Sequence, residues 1–334
     1  MFTEKFNSVF EMMQVFSTEQ TCIEYLEDLK WSGIVVSPYD ASSKVYKCKN
    51  NQYKCKNSGK RFNVKTGSMF ENTNISLQKW FLAIWLLTIN KKGISSIQLS
   101  KDIGVTQKTA WFMSHRIRAC FGIENGSELD GIVECDETFV GGKNKNRHKD
   151  KKVAQSQGRS FKDKDVVAGV LQRGTSEIVE RPHKVIPNKT VKEKVVYSTS
   201  KINAYVVDNT RRKTIQPYIY KYVKIETQTI ISDEWWAYKG LEKHYNHNVI
   251  DHSKKEYVSL YDNNIHTNNI EGSWRIFKNS VNGIYNHVSK KHLQKYVDEF
   301  VYRFNLRSTL DREKFRYLLN NSNVRTSYKA LIAK

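Results

Sequence analysis

Apolar positions recur with a different period in each stretch of this 334-residue chain, and the changes of period mark its parts. From Ser76, SLQKWFLAIWLLTINKKG is apolar nearly all round, as in a helix buried on every side, and Gly93 punctuates it. ISSIQLSKDIGVTQKTAWFMSHRIRACF follows. Here a helix through Lys101 meets a turn at Gly104, and a second helix begins near Thr106. Two short helices about a glycine turn predict a helix-turn-helix. The second helix would present Thr106, Gln107, Lys108 and Thr109, with Arg116 and Arg118 further along. An ordinary helical hairpin has the same pattern, so the partner must come from other evidence.

After Gly131 the period shortens to two. IVECDETFVGG alternates, with Glu134, Asp136 and Thr138 on one face and Val133, Cys135 and Phe139 on the other. The Lys-rich, apolar-poor stretch from Lys143 to Lys164 predicts an exposed loop. DVVAGVLQRG, EIVERPHKVI, INAYVV and TQTIISD predict strands, and TIQPYIYKYV a helix broken near Pro217. TNNIEGSWRIFKNSV and KKHLQKYVDEFVYRFNLR predict two helices. The fold expected is mixed α/β, with a catalytic domain over 130–307, a helix-turn-helix region over 71–122, an amino-terminal module over 1–70 and a tail over 308–334.

Lys and Arg number 55 against 34 Asp and Glu, a net charge of +21, which favours a polyanionic partner through counterion release. That shifts the helical pair towards DNA. The five scattered cysteines argue against a disulfide framework and for a reducing compartment. WFLAIWLLTI is too short to span a bilayer, and the amino terminus has no secretory pattern. The expectation is an intracellular protein without membrane segments, cytoplasmic in a bacterium and nuclear in a eukaryote.

Ahead of the helices, VSPYDASSKVYKCKNNQYKCKNSGKRF has the rhythm of a zinc ribbon, two knuckles about a hairpin. A structural zinc needs four nitrogen or sulfur ligands. The knuckle positions hold Ser37, Asp40, Cys55 and Ser58, and nearby Cys48 adds one more thiolate, so zinc is not expected.

The chemistry lies in carboxylates at strand ends, where α/β sheets place their sites. Asp136 lies in the alternating strand, Asp233 ends another, and Glu271 opens a helix that carries Lys278 nearly two turns later on the same face. Three such acids suit two Mg²⁺ ions, with Mn²⁺ as a substitute, in phosphoryl transfer. Each residue has a plainer alternative: Asp136 as a solvent-face strand residue, Asp233 as a helix cap, and Asn268 with Glu271 as a capping box. Asp208, after AYVV, rivals Asp233 as the second acid.

IHTNNIEGSWRIFKNSVNGIYNHVSKKHLQKYVDEFVYRFNLR, with ECDETFVGG upstream and ISDEWWAYKGL between, resembles the catalytic domain of Merlin-type DDE transposases and their bacterial insertion-sequence relatives. GKRFNVKTGSMFENTNISLQKW and the helical region after it resemble that family's amino-terminal part. The resemblance covers about residues 23–307. It implies an RNase H-like mixed sheet flanked by helices, preceded by the helix-turn-helix and a degenerate ribbon. The acids would be Asp136, Asp233 and Glu271, which prefers Asp233 over Asp208. Lys278 would hold the transposon end, and His266 and Asn268 would orient groups or contact DNA. The implied activity is binding of terminal inverted repeats and Mg²⁺-dependent strand cleavage and transfer, by a homo-oligomer on double-stranded DNA. A transposase-derived DNA-binding protein without catalysis is the alternative.

Overall fold

A computed structural model describes residues 6–141, 148–154, 164–182, 186, 190–225, 229–251, 258, 262 and 264–333. Most of the Lys-rich loop expected between Lys143 and Lys164 lies outside them. The chain divides into two compact units, residues 1–123 with 309–334 and residues 124–308.

The first unit opens with α1 (Val9–Val15) and α2 (Glu19–Trp31), each started by a hydroxyl cap, Ser8 and Thr18. Three short antiparallel strands follow, β1 (Val45–Lys47), β2 (Tyr53–Cys55) and β3 (Arg61–Phe62). Hydrogen bonds occupy the positions expected as knuckles. Asp40 accepts from Asn57 Nδ2 at 2.7 Å and from Ser42 Oγ at 2.7 Å, and Ser43 Oγ accepts from the Asn57 N–H. Cys55 is buried, and the hydroxyls of Ser37, Ser43 and Ser58 bring its thiol down to about 6. Trp31, Tyr53 and Phe62 pack as a small aromatic core beneath.

Helix α3 (Leu77–Ile89) runs through the middle of this unit. Its buried residues include Trp80, Phe81, Ile84 and Trp85, as its all-round apolarity predicts. Beyond it α4 (Ser96–Ile103) ends on Gly104, whose left-handed φ of 61° turns the chain, and α5 (Gln107–Arg118) starts behind the Thr106 cap.

The second unit contains a five-stranded sheet built on β4 (Ile132–Val140) and β5 (Asp165–Gln172). An outlying hairpin, β6 (Ser176–Pro182) with β7 (Thr190–Val196), is followed by β8 (Lys201–Val207), α6 (Arg212–Tyr222), β9 (Thr229–Asp233) and β10 (Asn246–Ile250). The order is β10-β9-β4-β5-β8, with β5 antiparallel to both neighbours and the other strands mutually parallel. Helix α6 continues through Pro217, which lies on its exposed side, so the expected break is absent. Helices α7 (Asn268–Ser280) and α8 (Lys290–Asn305) complete the unit.

Alternation along the strands gives the sheet two apolar faces. Val167, Leu171, Ile202 and Ala204 pack against Ile270, Trp274, Phe277 and Val297 of α7 and α8. Val133, Cys135, Val170 and Ile230 pack against Ile215 and Ile219 of α6. The edge strand β8 is closed by side-chain amides. Asn305 and Asn125 each both accept from and donate to the backbone of Ile202 and Ala204, and Gln294 accepts from the Val206 N–H.

The last residues, expected as a tail, fold into the first unit as α9 (Asp311–Asn320) and α10 (Tyr328–Ile332). Phe315 of α9 is fully buried, with ring centroids 5.4 Å from Phe81 and 6.0 Å from Trp85. No helix among the described residues is long and apolar enough to cross a membrane.

Candidate active site

Parallel pairing aligns Val133 with Ile230 and Glu134 with Ile231. Carried two residues further, the same register sets Asp136 of β4 beside Asp233 at the end of β9. Asp233 is only 5% exposed, and its Oδ1 accepts from the Trp235 N–H at 3.1 Å. The Asp136 carboxyl is driven well above the usual carboxylate range, first by burial and then by the negative charges of Glu137, Asp233 and Glu271. Asp233 and Glu271 thus both lie within electrostatic reach of Asp136. Asp208, the rival acid, follows the edge strand with an 87% exposed side chain, 3.4 Å from Lys290.

The face of β4 that carries Asp136 is not a solvent face. Glu134 is fully buried and holds the start of α7. Its Oε2 accepts from the Ile270 N–H at 2.8 Å, and its Oε1 accepts from Asn269 Nδ2 at 2.7 Å. A carboxylate from the sheet therefore caps the helix and complements its dipole. The capping box offered as the plainer alternative for Asn268 and Glu271 does not form. Thr267 is the N-cap residue, and its hydroxyl donates to Glu271 Oε1 at 3.0 Å.

Arg173, just past β5, completes this arrangement. It pairs with Glu134 Oε1 at 2.5 Å and donates to the carbonyls of Asn264 and His266. Its Nη2 lies 2.9 Å from His266 Nδ1. Arginine has no acceptor, so Nδ1 must accept and the imidazole proton sits on Nε2. Burial and the Arg173 charge lower the His266 pKa and keep the ring neutral. His266 thus acts inside the network that sets α7, while Asn268 is exposed at the first position of the helix.

Helix α7 lies close to the sheet because Gly169 of β5, opposite Asp136, has no side chain. A Cβ there would fall inside the Trp274 indole. Gly169→Ala is expected to destabilise the protein by about 1–3 kcal/mol through overpacking, seen as a lower urea midpoint with an unchanged slope. Glu271, Arg275 and Lys278 recur at i, i+4 and i+7, and all three are exposed. Among the described residues Lys278 has no ion pair.

At the start of α5 Thr106, Gln107 and Lys108 are exposed and Thr109 is half-buried. Gln107 donates to Ser96 Oγ at 2.9 Å, and Lys108 lies 5.2 Å over the Tyr328 ring. Arg116 departs from expectation. It is 4% exposed, donates to the Glu71 carbonyl at 2.6 Å and packs over Trp80 and Phe112. It braces the unit's core instead of facing outwards. Arg118 is also buried.

No three His, Cys, Asp or Glu side chains among the described residues are close enough as they stand to hold a metal. The donor chemistry nevertheless suits a hard divalent cation: three oxygen-only carboxylates, with the Asp136 carboxyl pushed up by burial and then by the negative charges around it, which a bound cation would offset.

Comparison with known proteins places the chain in a family. The ISXO2-like transposase domain matches residues 128–305, just over half of the chain and nearly all of the second unit. A protein of Halobacterium salinarum described as an uncharacterized protein in transposable element ISH50 is 25% identical over 311 residues. The aligned region is 87% of this chain and 92% of that one.

Proposed function

The chain belongs to the ISXO2-like transposase family, and from that premise we propose that it is a DDE transposase, cutting and joining DNA at Asp136, Asp233 and Glu271. The observation that carries this is that Asp136 and Asp233 lie on adjacent parallel strands and that the charges of Asp233 and Glu271 both act on Asp136. A sheet of this order with a single antiparallel strand supports an RNase H-like reading of the second unit.

Asp136, Asp233 and Glu271 would hold Mg²⁺, with Mn²⁺ as a substitute. Bound there, the cation supplies Lewis-acid stabilisation of charge on the phosphate. The chain's own part is positioning. Glu134 and Arg173 fix the start of α7, so that Glu271, Arg275 and Lys278 form one face. Lys278, exposed and unpaired among the described residues, would clamp a phosphate beside the acids. In the first step water attacks the phosphorus and the 3′ oxygen leaves with a proton. In the second that 3′-hydroxyl attacks target DNA and displaces another 3′ oxygen.

Recognition of the element's ends we assign to Thr106, Gln107, Lys108 and Thr109 at the start of α5, with Asn268 contacting DNA beside the acids. The partner is double-stranded DNA, with the protein acting as a homo-oligomer on paired ends. Hydrogen bonds at Asp40 and Cys55 would do without zinc in the ribbon.

The test uses DNA flanking the gene. Wild-type protein with Mg²⁺ is expected to cleave fragments carrying the element's terminal repeats at least about 100-fold faster than unrelated DNA, given usual specificity ratios. Equal rates on both would identify a general nuclease. Tight binding of the ends without cleavage would identify a DNA-binding protein derived from a transposase.

A further inference from the structure

The loop after β9 carries a second feature that the acids do not use. Trp236 is 73% exposed, while its neighbours on both sides are held in place. Trp235 Nε1 donates to the Thr210 carbonyl at 3.0 Å, and its backbone N–H is bonded to Asp233. Gln216 of α6 donates to the carbonyls of Ala237 and Lys239, and the buried Tyr238 hydroxyl donates to Glu137 at 2.7 Å. The Trp236 indole therefore faces water from a pinned backbone, with its ordering entropy already met on folding.

Beside it lies an open groove of ≈ 670 Å³, walled by Arg211 and Arg212 at the start of α6, by Trp235 and Trp236, and by Lys239. The size is that of an ordinary small-molecule site. Lys239 Nζ sits 4.7 Å over the Trp236 ring. Arg212 Nε is bonded to Gln216, and among the described residues none of the three cations has a carboxylate partner. An exposed indole with three unpaired cations around it is the combination that binds unpaired nucleotides, by stacking on the base and pairing with the phosphate.

We propose that this groove takes an unstacked nucleobase of the DNA strand, laid on Trp236, with its phosphate held by Arg211 and Lys239. The proposal rests on the transposase reading for its substrate and adds a site to it. Trp236 follows Asp233 by three positions, so their Cα atoms lie within about 11 Å. At about 3.4 Å of rise per nucleotide, the base taken up belongs within about three nucleotides of a phosphate at Asp233. Chemistry at a duplex end is helped when one base is drawn out of the stack, because the strand can then bend into the site.

The experiment measures binding without metal, by fluorescence anisotropy, of full-length protein to labelled oligothymidylate and to an abasic strand of equal length. Wild type is expected to prefer oligothymidylate by about 5- to 150-fold, the range that stacking of one base gives. Trp236→Ala is expected to abolish that preference and Trp236→Phe to keep most of it. Arg211→Ala is expected to weaken both strands alike and to lower the salt dependence. Equal wild-type affinity for the two strands, or a preference that survives Trp236→Ala, would overturn the proposal and reduce the groove to a phosphate contact. Because no cleavage is read, loss of the catalytic assignment leaves this result standing, and the reverse is also true.

Discussion

Arg173→Ala is expected to lower the stability of the protein by about 3–5 kcal/mol, the usual result of removing one partner of a buried ion pair. Glu134 is fully buried, and Arg173 is its cation, with a side chain only 12% exposed. Without Arg173, the carboxylate keeps the Ile270 N–H and the Asn269 amide but has no countercharge. The Asn264 and His266 carbonyls lose their donor at the same time. Adding Glu134→Gln to Arg173→Ala should recover part of the loss, since a neutral amide still accepts from Ile270 without a buried charge. Urea unfolding of the wild type, both single variants and the double variant measures the coupling. A loss below about 1 kcal/mol for Arg173→Ala would mean that the pair is a surface-like contact and does not set α7.

Asp136→Asn is expected to abolish strand cleavage, by on the order of 1,000-fold, and yet to make the protein more stable at neutral pH. The folded chain raises the Asp136 pKa well above its ordinary 3.8, chiefly by burial and then by Glu137, Asp233 and Glu271. A group with a raised folded pKa binds its proton more tightly when folded. Its contribution is therefore intact below the unfolded value near 3.8 and is lost as pH rises through the raised one. Asparagine carries no charge to desolvate, so the variant escapes that loss. Thermal melts should show the variant above wild type at pH 7, with the gap closing towards pH 4. Added Mg²⁺ should raise the wild-type melting temperature and leave the variant unmoved. A site kept strained for activity behaves in this way, whereas a structural aspartate would destabilise on replacement.

Much of this site could be read in the chain, for identifiable reasons. Strict alternation in IVECDETFV fixes which residues share the Asp136 face, and the helical period from Asn268 puts Glu271 and Lys278 together. The choice of Asp233 over Asp208 needed the resemblance. In the fold the two differ by strand position, one in the sheet's interior beside β4 and the other at the exposed end of the edge strand. Arg173 was not legible. It lies 39 residues from Glu134 and 93 from His266, so only the closed sheet brings the three together. The edge-closing amides Asn125, Gln294 and Asn305 escaped for the same reason, since long-range polar pairing has no local period. Arg116 runs against the sequence expectation because a basic residue on a helix suggests an exposed face. Residues 113–118 are all buried, and the Arg116 guanidinium lies over the Trp80 and Phe112 rings.

Catalysis would depend on Asp136, Asp233 and Glu271 acting as one site. Mg²⁺-dependent cleavage of DNA carrying the element's own ends should be measured for the wild type, for Asp136→Asn, Asp233→Asn and Glu271→Gln, and for Asp208→Asn beside them. The three site variants are expected to fall by on the order of 1,000-fold while still binding the ends, and Asp208→Asn to cleave like wild type. Wild-type rates from Asp233→Asn, or lost cleavage from Asp208→Asn alone, would contradict the assignment.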